Sequence, residues 1–125
     1  MAQSALRINT STIASWMTIT TSQAIVPGIG YCVNASGPVT LALPLTFNVN
    51  DAFIIYRYSV GHDIVIGQNA GQYVSGLSGE VTTTGVGGSV TLTQDGGFVY
   101  MQCIFAANAN VQLNMLMNYG SILFT

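Results

Sequence analysis

The stretch AFIIYRY, residues 52–58, is apolar on both faces of an extended chain. Because successive side chains of a strand point to opposite sides, Phe53 and Ile55 share one face while Ile54 and Tyr56 share the other. The stretch FVYMQCIF, residues 98–105, has the same character. An antiparallel sandwich normally leaves one face of each sheet to water. These two stretches therefore predict strands that are covered on both sides, with a partner subunit as the second cover.

Shorter alternating stretches surround these two and predict further strands. Val39 and Leu41 share one face of such a strand, and the pair Asp95-Gly96 is a strong hairpin signal. Turn residues recur at short intervals from the first third of the chain onward. The sequence predicts an all-β fold, an antiparallel β-sandwich. We expect one domain over residues 15–125, preceded by a lead-in or stem remnant over residues 1–14.

Charge is scarce in this chain. The 125 residues include two Lys or Arg, four Asp or Glu and one His, and 50% of the residues are apolar. An ordinary soluble surface carries about 25–35% charged residues, whereas charged residues make up 5% of this chain. With a formal charge of -2 the chain cannot neutralise a row of phosphates, which excludes nucleic acid as a partner. The composition predicts a surface that is partly covered by other copies of the chain.

The sequence contains no stretch typical of a membrane-spanning helix or a signal peptide. The longest apolar runs have about five residues, whereas a spanning helix needs about 20. The first residues lack the charged region and the apolar region of a secretory signal. We expect synthesis in the cytoplasm and no membrane insertion.

Residues with catalytic potential form no recognisable set. Asp63 directly follows His62, and adjacent residues of an extended chain point to opposite sides, so this carboxylate cannot orient the imidazole. Cys32 and Cys103 each lie alone in an apolar stretch, which predicts two small buried side chains, with a disulfide as the alternative. We expect no catalytic residues, no cofactor and no metal, because one His adds too few ligands. A glycan-cleaving domain is an alternative, with two of the four carboxylates Asp51, Asp63, Glu80 and Asp95 as its catalytic pair.

Two polar neighbourhoods and the apolar strands supply the candidate binding residues. Hydroxyls and amides suit neutral polar ligands such as glycans, and they equally suit inert loops. The candidate receptor-binding residues are Arg57, Tyr58, His62, Asp63, Thr82 and Thr83. The candidate residues for contact between subunits are Phe53, Ile55, Tyr100, Met115 and Met117.

A series of short sequence motifs follows a distinctive order along the chain. They are SW at 15–16, SQ at 22–23, GYCVNA at 30–35, VTLALP at 39–44, IGQNAGQ at 66–72, TTTGVGGSV at 82–90, VYMQCI at 99–104 and Gly120. Each motif is common in β-proteins. Their order over residues 15–125 resembles that in the C-terminal head domains of trimeric bacteriophage tail fibres and in the related knobs of tail needles.

The resemblance implies a compact β-sandwich of the jelly-roll or tumour-necrosis-factor type. It further implies a homotrimeric head at the tip of a virion appendage, in contact with other tail proteins. The implied role is non-enzymatic attachment to a surface glycan or outer-membrane component of a bacterial host. A trimerisation or plug module without a ligand fits the same residues. Residues 1–14 are too short for the stem that normally precedes such a head, so we expect either an excised fragment or a small protein docked onto another fibre.

Overall fold

The computed structural model describes residues 13–125, and in this range the chain forms eleven β-strands and no helix. In chain order they are β1 (Ser15–Ile19), β2 (Gln23–Ala24), β3 (Ile29–Asn34), β4 (Val39–Ala42), β5 (Ala52–Ser59), β6 (Ile64–Gly67), β7 (Gln72–Ser75), β8 (Ser89–Leu92), β9 (Phe98–Ala107), β10 (Asn110–Tyr119) and β11 (Ile122–Phe124). The all-β prediction is confirmed. Apart from Ile13 and Ala14, the lead-in predicted over residues 1–14 lies outside the described residues.

The strands form two sheets. Sheet A has six strands in the order β1-β3-β5-β9-β10-β7, and sheet B has five strands in the order β11-β8-β6-β4-β2. A single apolar cluster combines buried side chains from both sheets. The fold is therefore a β-sandwich, as the sequence predicts.

Strand pairing is mixed, which differs from the expected antiparallel pairing and jelly-roll order. β1, β3 and β5 run parallel in sheet A, and β2, β4 and β6 run parallel in sheet B. The chain changes sheet at every connection from β1 to β9, so a strand of one sheet serves as the crossover between two parallel strands of the other. β8 and β9 then add antiparallel pairs. Alternation and turn residues look the same in both kinds of pairing, so the sequence pattern could not distinguish them.

The core lies between the sheets and is built from alternate residues of the strands. Fully burying a large apolar side chain contributes about 1.5–3 kcal/mol to folding. The hydroxyl oxygen of the buried Tyr31 accepts a hydrogen bond from the backbone N–H of Val26 at 2.7 Å, which satisfies its polar group. The largest fully buried apolar side chains are Tyr31, Phe53, Leu41, Ile55, Ile64, Ile66, Leu92, Met101 and Leu113.

Three of the predicted subunit-contact residues belong to this core, which corrects the prediction. Phe53 and Ile55 are fully buried within the protomer, and Met115 is 3% exposed. None of them can reach a partner subunit. Two-residue alternation identifies which side chains share a face, but it does not say which face turns inward.

A β-bulge in β10 explains why Met115 and Met117 separate. The sequence pattern predicts that they share a face, yet Met115 pairs with Met101 of the core while Met117 pairs with Tyr100 on the outside. The register shifts between the two methionines, at Leu116. An extra residue in one strand reverses the alternation beyond it. Met117 and Tyr100 therefore remain on the outer surface of sheet A.

The two cysteines are free thiols, so the disulfide alternative does not hold in this structure. Cys103 is buried in the core, and Cys32 is half-buried on the opposite side of sheet A. Burial raises the pKa of the Cys103 thiol because the thiolate would lose its hydration. The Cys103 thiol also donates a weak hydrogen bond to the carbonyl oxygen of Phe105 at 3.5 Å.

We expect Gly30→Ala to disturb the packing of Trp16. A Cβ at Gly30 would lie 2.7 Å from Cδ2 of the indole ring, so the ring would have to move off β3. The expected result is a loss of about 1 kcal/mol in the free energy of unfolding, measured with urea, and a red shift in the emission of the single tryptophan. Gly37→Ala is the matched control, because nothing lies within 4 Å of its added Cβ. Equal losses in both variants would contradict the packing described here.

Candidate functional site

The outer surface of sheet A carries a continuous set of large apolar side chains, here called the aromatic face. The strand register brings its members together. Ile54 pairs with Tyr100 across β5 and β9, and Met117 pairs with Tyr100 across β9 and β10. Phe98 has Tyr56 on one side and Tyr119 on the other. The aromatic face consists of Trp16, Ile54, Tyr56, Phe98, Tyr100, Met117 and Tyr119.

The aromatic face is open to solvent in the protomer. Trp16, Met117 and Tyr119 are 58%, 54% and 61% exposed. The rings of Phe98 and Tyr119 stack with their centroids 6.5 Å apart and their planes at 19°. The first six members of the face line a groove of about 350 Å³. Soluble monomers rarely leave a wide contiguous apolar patch uncovered, so this face is a candidate contact surface.

The outer surface of sheet B has a different composition. Its register places Val65 between Thr40 and Thr91. These are β-branched side chains of modest size, and Leu123 lies beside Thr91 at the edge of the sheet. The aromatic side chains are thus concentrated on sheet A.

A polar cleft lies at one edge of sheet A, where the parallel strands β1, β3 and β5 end. Since parallel strands end at the same edge, the three connections that follow them are neighbours. Asp95 reaches the same edge because it precedes β9, which runs antiparallel to β5. The polar cleft has a volume of about 690 Å³ and is lined by Thr20, Thr21, Asn34, Ala35, Ser36, Ser59, Val60, Gly61 and Asp95.

Arg57 fixes the carboxylate of the polar cleft. Its side chain is 5% exposed, and its Nε donates a hydrogen bond to Oδ1 of Asp95 at 2.7 Å. Its Nη1 donates to the carbonyl oxygen of Leu92 at 2.8 Å. Oδ1 of Asp95 also accepts from the backbone N–H of Val60 at 3.1 Å. The hydrogen bond from Arg57, followed by that from Val60, lowers the pKa of Asp95 below its usual value of 3.8.

The structure corrects the prediction that Arg57 binds a receptor. Its guanidinium is buried and bonded inside the protomer, so it cannot contact a receptor. Tyr58 is 57% exposed, and His62 and Asp63 are exposed in the connection between β5 and β6. These three lie beside the polar cleft in sequence, and their role in recognition stays a prediction.

The prediction that Thr82 binds a receptor is also corrected, because Thr82 belongs to a buried polar network. It is 3% exposed. Its hydroxyl donates to Oε1 of Gln68 and accepts from the backbone N–H of Val74. Nε2 of Gln68 donates to the carbonyl oxygens of Gln72 and Thr83 at 2.7 and 2.9 Å. The network anchors the segment after β7 and leaves Thr82 without a surface role.

Thr83 is exposed but far from the predicted patch around Tyr58. Gln68 follows the end of β6, whereas residues 59–63 precede its start. The two polar neighbourhoods therefore lie at opposite ends of sheet B, and the structure does not bring them into one site.

Sequence reasoning missed most residues of the polar cleft. Thr20, Asn34, Ser36 and Ser59 lie at or just after the ends of three different strands, and each looks like an ordinary polar turn residue. An antiparallel arrangement would place successive connections at alternating edges. Recognising the parallel pairing of β1, β3 and β5 was the signal needed to place them together.

Comparison with known proteins adds no family. No protein-family model matches the sequence, and no curated protein matches it. Within residues 13–125, His, Cys, Asp and Glu side chains form no group of three or more that could hold a metal ion. The described part of the chain also has no helix that is both long and apolar enough to cross a membrane.

We expect Asp95 to make the fold sensitive to acid. Its folded pKa is lowered, so the unfolded chain binds the proton more readily, and the free energy of unfolding falls as the pH drops below about 3.8 through the folded pKa. Asp95→Asn should flatten this dependence and lower stability at pH 7, because Arg57 stays buried without its counter-charge. Thermal unfolding over a pH series measures both effects. Asp63→Asn, in the neighbouring loop, is the control, and an unchanged acid profile in Asp95→Asn would contradict the assignment.

Proposed function

We propose that this chain is the non-enzymatic head of a virion appendage, a tail fibre or tail needle knob, which attaches to the surface of a bacterial host. In this proposal three copies associate through the aromatic face, and the polar cleft remains open to the outside. The single observation that carries the proposal is the exposed aromatic face on the sandwich that residues 13–125 form. The ordered sequence motifs supply the resemblance to the head domains of phage tail fibres.

The extent of the aromatic face supports assembly with further copies of the chain. An aromatic side chain has about 150–250 Å² of surface, so Trp16 and Tyr119, at 58% and 61% exposed, leave about 200–300 Å² accessible. Met117 and the four half-buried members raise the total to roughly 500 Å². Tyr58, on the same side of β5, is another exposed aromatic. A contiguous patch of this size falls in the range of about 300–600 Å² that is often functional, and it is below the roughly 800 Å² that each partner contributes to a standard interface.

The absence of charge on the aromatic face supports association between identical copies of the chain. All seven members are uncharged, so copies that meet there face no like-charge repulsion. Burying this apolar surface contributes about 25 cal/mol per Å². Three copies can turn sheet A toward a common axis, as the resemblance to trimeric heads implies.

The position of the polar cleft supports attachment. It opens at an edge of sheet A rather than on the aromatic face. Association through the face therefore leaves three clefts accessible at one end of the assembly. Weak sites repeated around an axis gain avidity when a surface offers several ligands, such as a surface glycan or an outer-membrane component.

The local roles of the carboxylates support a non-enzymatic function. Oδ2 of Asp51 accepts from the backbone N–H of Asn48 at 2.9 Å, and Oε1 of Glu80 accepts from that of Ser78 at 3.0 Å. Asp95 is paired with Arg57. Glycoside hydrolysis needs one carboxyl group with a raised pKa as proton donor, whereas the pKa of Asp95 is lowered.

We expect the wild-type chain to be a trimer in solution and Met117→Lys to weaken it. A lysine in the middle of the aromatic face would be buried without a partner on association, which costs several kcal/mol. Light scattering after gel filtration measures the mass, and circular dichroism checks that the fold persists. Thr40→Lys, on the outer surface of sheet B, is the matched control. A monomeric wild type, or dissociation by Thr40→Lys alone, would contradict assembly through the aromatic face.

We expect the fluorescently labelled trimer to adhere to cells of at least one strain in a panel of bacteria. Adhesion should fall when Met117→Lys separates the protomers, because single weak sites lose avidity. Flow cytometry measures the bound protein. A stable trimer that binds no strain would contradict attachment and favour the plug or trimerisation module.

A further inference from the structure

We infer that the polar cleft is a binding site for a neutral saccharide. This inference rests on the attachment role proposed above and deepens it by naming the site and the class of ligand. It follows from three properties of the cleft: its lining, its charge and its rigidity.

The lining of the cleft offers the hydrogen-bonding groups that sugar hydroxyls need. Thr20, Thr21, Ser36 and Ser59 supply hydroxyls that can donate and accept, and the amide of Asn34 supplies both functions from one side chain. Ala35 adds a short apolar surface against which C–H groups can pack. The volume of about 690 Å³ lies within the range of about 300–1,000 Å³ typical of small-molecule sites, which is room for an oligosaccharide segment.

The charge of the cleft selects against acidic ligands. Asp95 is the charged residue in the lining, and its side chain is 45% exposed, so the carboxylate can accept hydrogen bonds from hydroxyl groups. The guanidinium of Arg57 is buried behind it and bonded to Asp95 and Leu92. A uronic acid or phosphate in the cleft would meet this carboxylate, and no residue of the described lining offers an accessible cation beside it. A neutral sugar meets no such repulsion.

The walls of the cleft are held in place before any ligand binds. The backbone N–H of Val60 is fixed by Asp95, and the N–H of Ala35 donates to the carbonyl oxygen of Ser59 at 3.1 Å. The backbone of Arg57 is bonded to Gly97 and Gly96 of the opposite wall at 2.8 and 2.6 Å. A site that is already ordered loses less conformational entropy on binding.

The test uses the whole trimeric chain on an array of bacterial oligosaccharides that contains both neutral and acidic glycans. We expect binding to neutral glycans. Ser36→Trp should weaken it at least tenfold by filling the cleft, and Thr20→Ala with Ser36→Ala should weaken it by about three- to tenfold through lost hydrogen bonds. Thr84→Trp and Thr84→Ala are the matched controls, since Thr84 is exposed and lies next to Gly85, whose N–H bonds to Gln72 at the opposite end of the fold. These controls should bind like the wild type.

Three results would overturn the inference: no binding to any glycan, binding to acidic glycans alone, or binding that Ser36→Trp leaves unchanged. Cell adhesion separates this failure from failure of the proposed function. If Ser36→Trp adheres to bacteria as well as the wild type, the cleft assignment fails while attachment holds. If the wild type adheres to no strain, attachment itself fails.

Discussion

Phe53, Ile55 and Arg57 lie on the same side of β5, and that side faces the core. Burying the two apolar side chains forces the arginine inward with them, because alternation leaves no other direction. A buried cation is costly unless it is paired and hydrogen-bonded, and Asp95 and the carbonyl of Leu92 meet that need. The same orientation sends Ile54, Tyr56 and Tyr58 outward. The core, the anchored wall of the polar cleft and the aromatic face thus depend on one orientation of one strand.

The parallel winding of the first six strands determines where the polar cleft lies. It gathers the connections after β1, β3 and β5 at one edge, so Thr20, Asn34 and Ser59, which are successively 14 and 25 positions apart in the sequence, line one cleft. The aromatic face has another origin: antiparallel pairing aligns the outward residues of β5, β9 and β10, and Trp16 of β1 extends the face across Gly30 of β3. The polar cleft and the aromatic face thus lie on different parts of sheet A and come from different kinds of strand pairing.

The sequence predicted the all-β sandwich and the doubly apolar strands because two-residue alternation is a local property. It could not predict the inward face of β5, since Arg57 is the charged residue on that face and a lone charge normally lies outside. It could not predict that Met115 and Met117 lie on opposite faces of β10, because no residue type indicates the bulge between them. The sequence did not predict that the cleft residues lie together, because parallel and antiparallel pairing leave the same local pattern. In each case the missing information was a contact between residues distant in sequence.

In the proposed assembly, other copies of this chain cover the aromatic face. Trp16 is the single tryptophan and lies on that face, so acrylamide quenching of its fluorescence over a dilution series reports the cover directly. We expect weak quenching at high protein concentration that rises as the assembly dissociates, while circular dichroism stays constant. Strong quenching at every concentration would show that Trp16 faces water throughout, and it would contradict the proposed assembly.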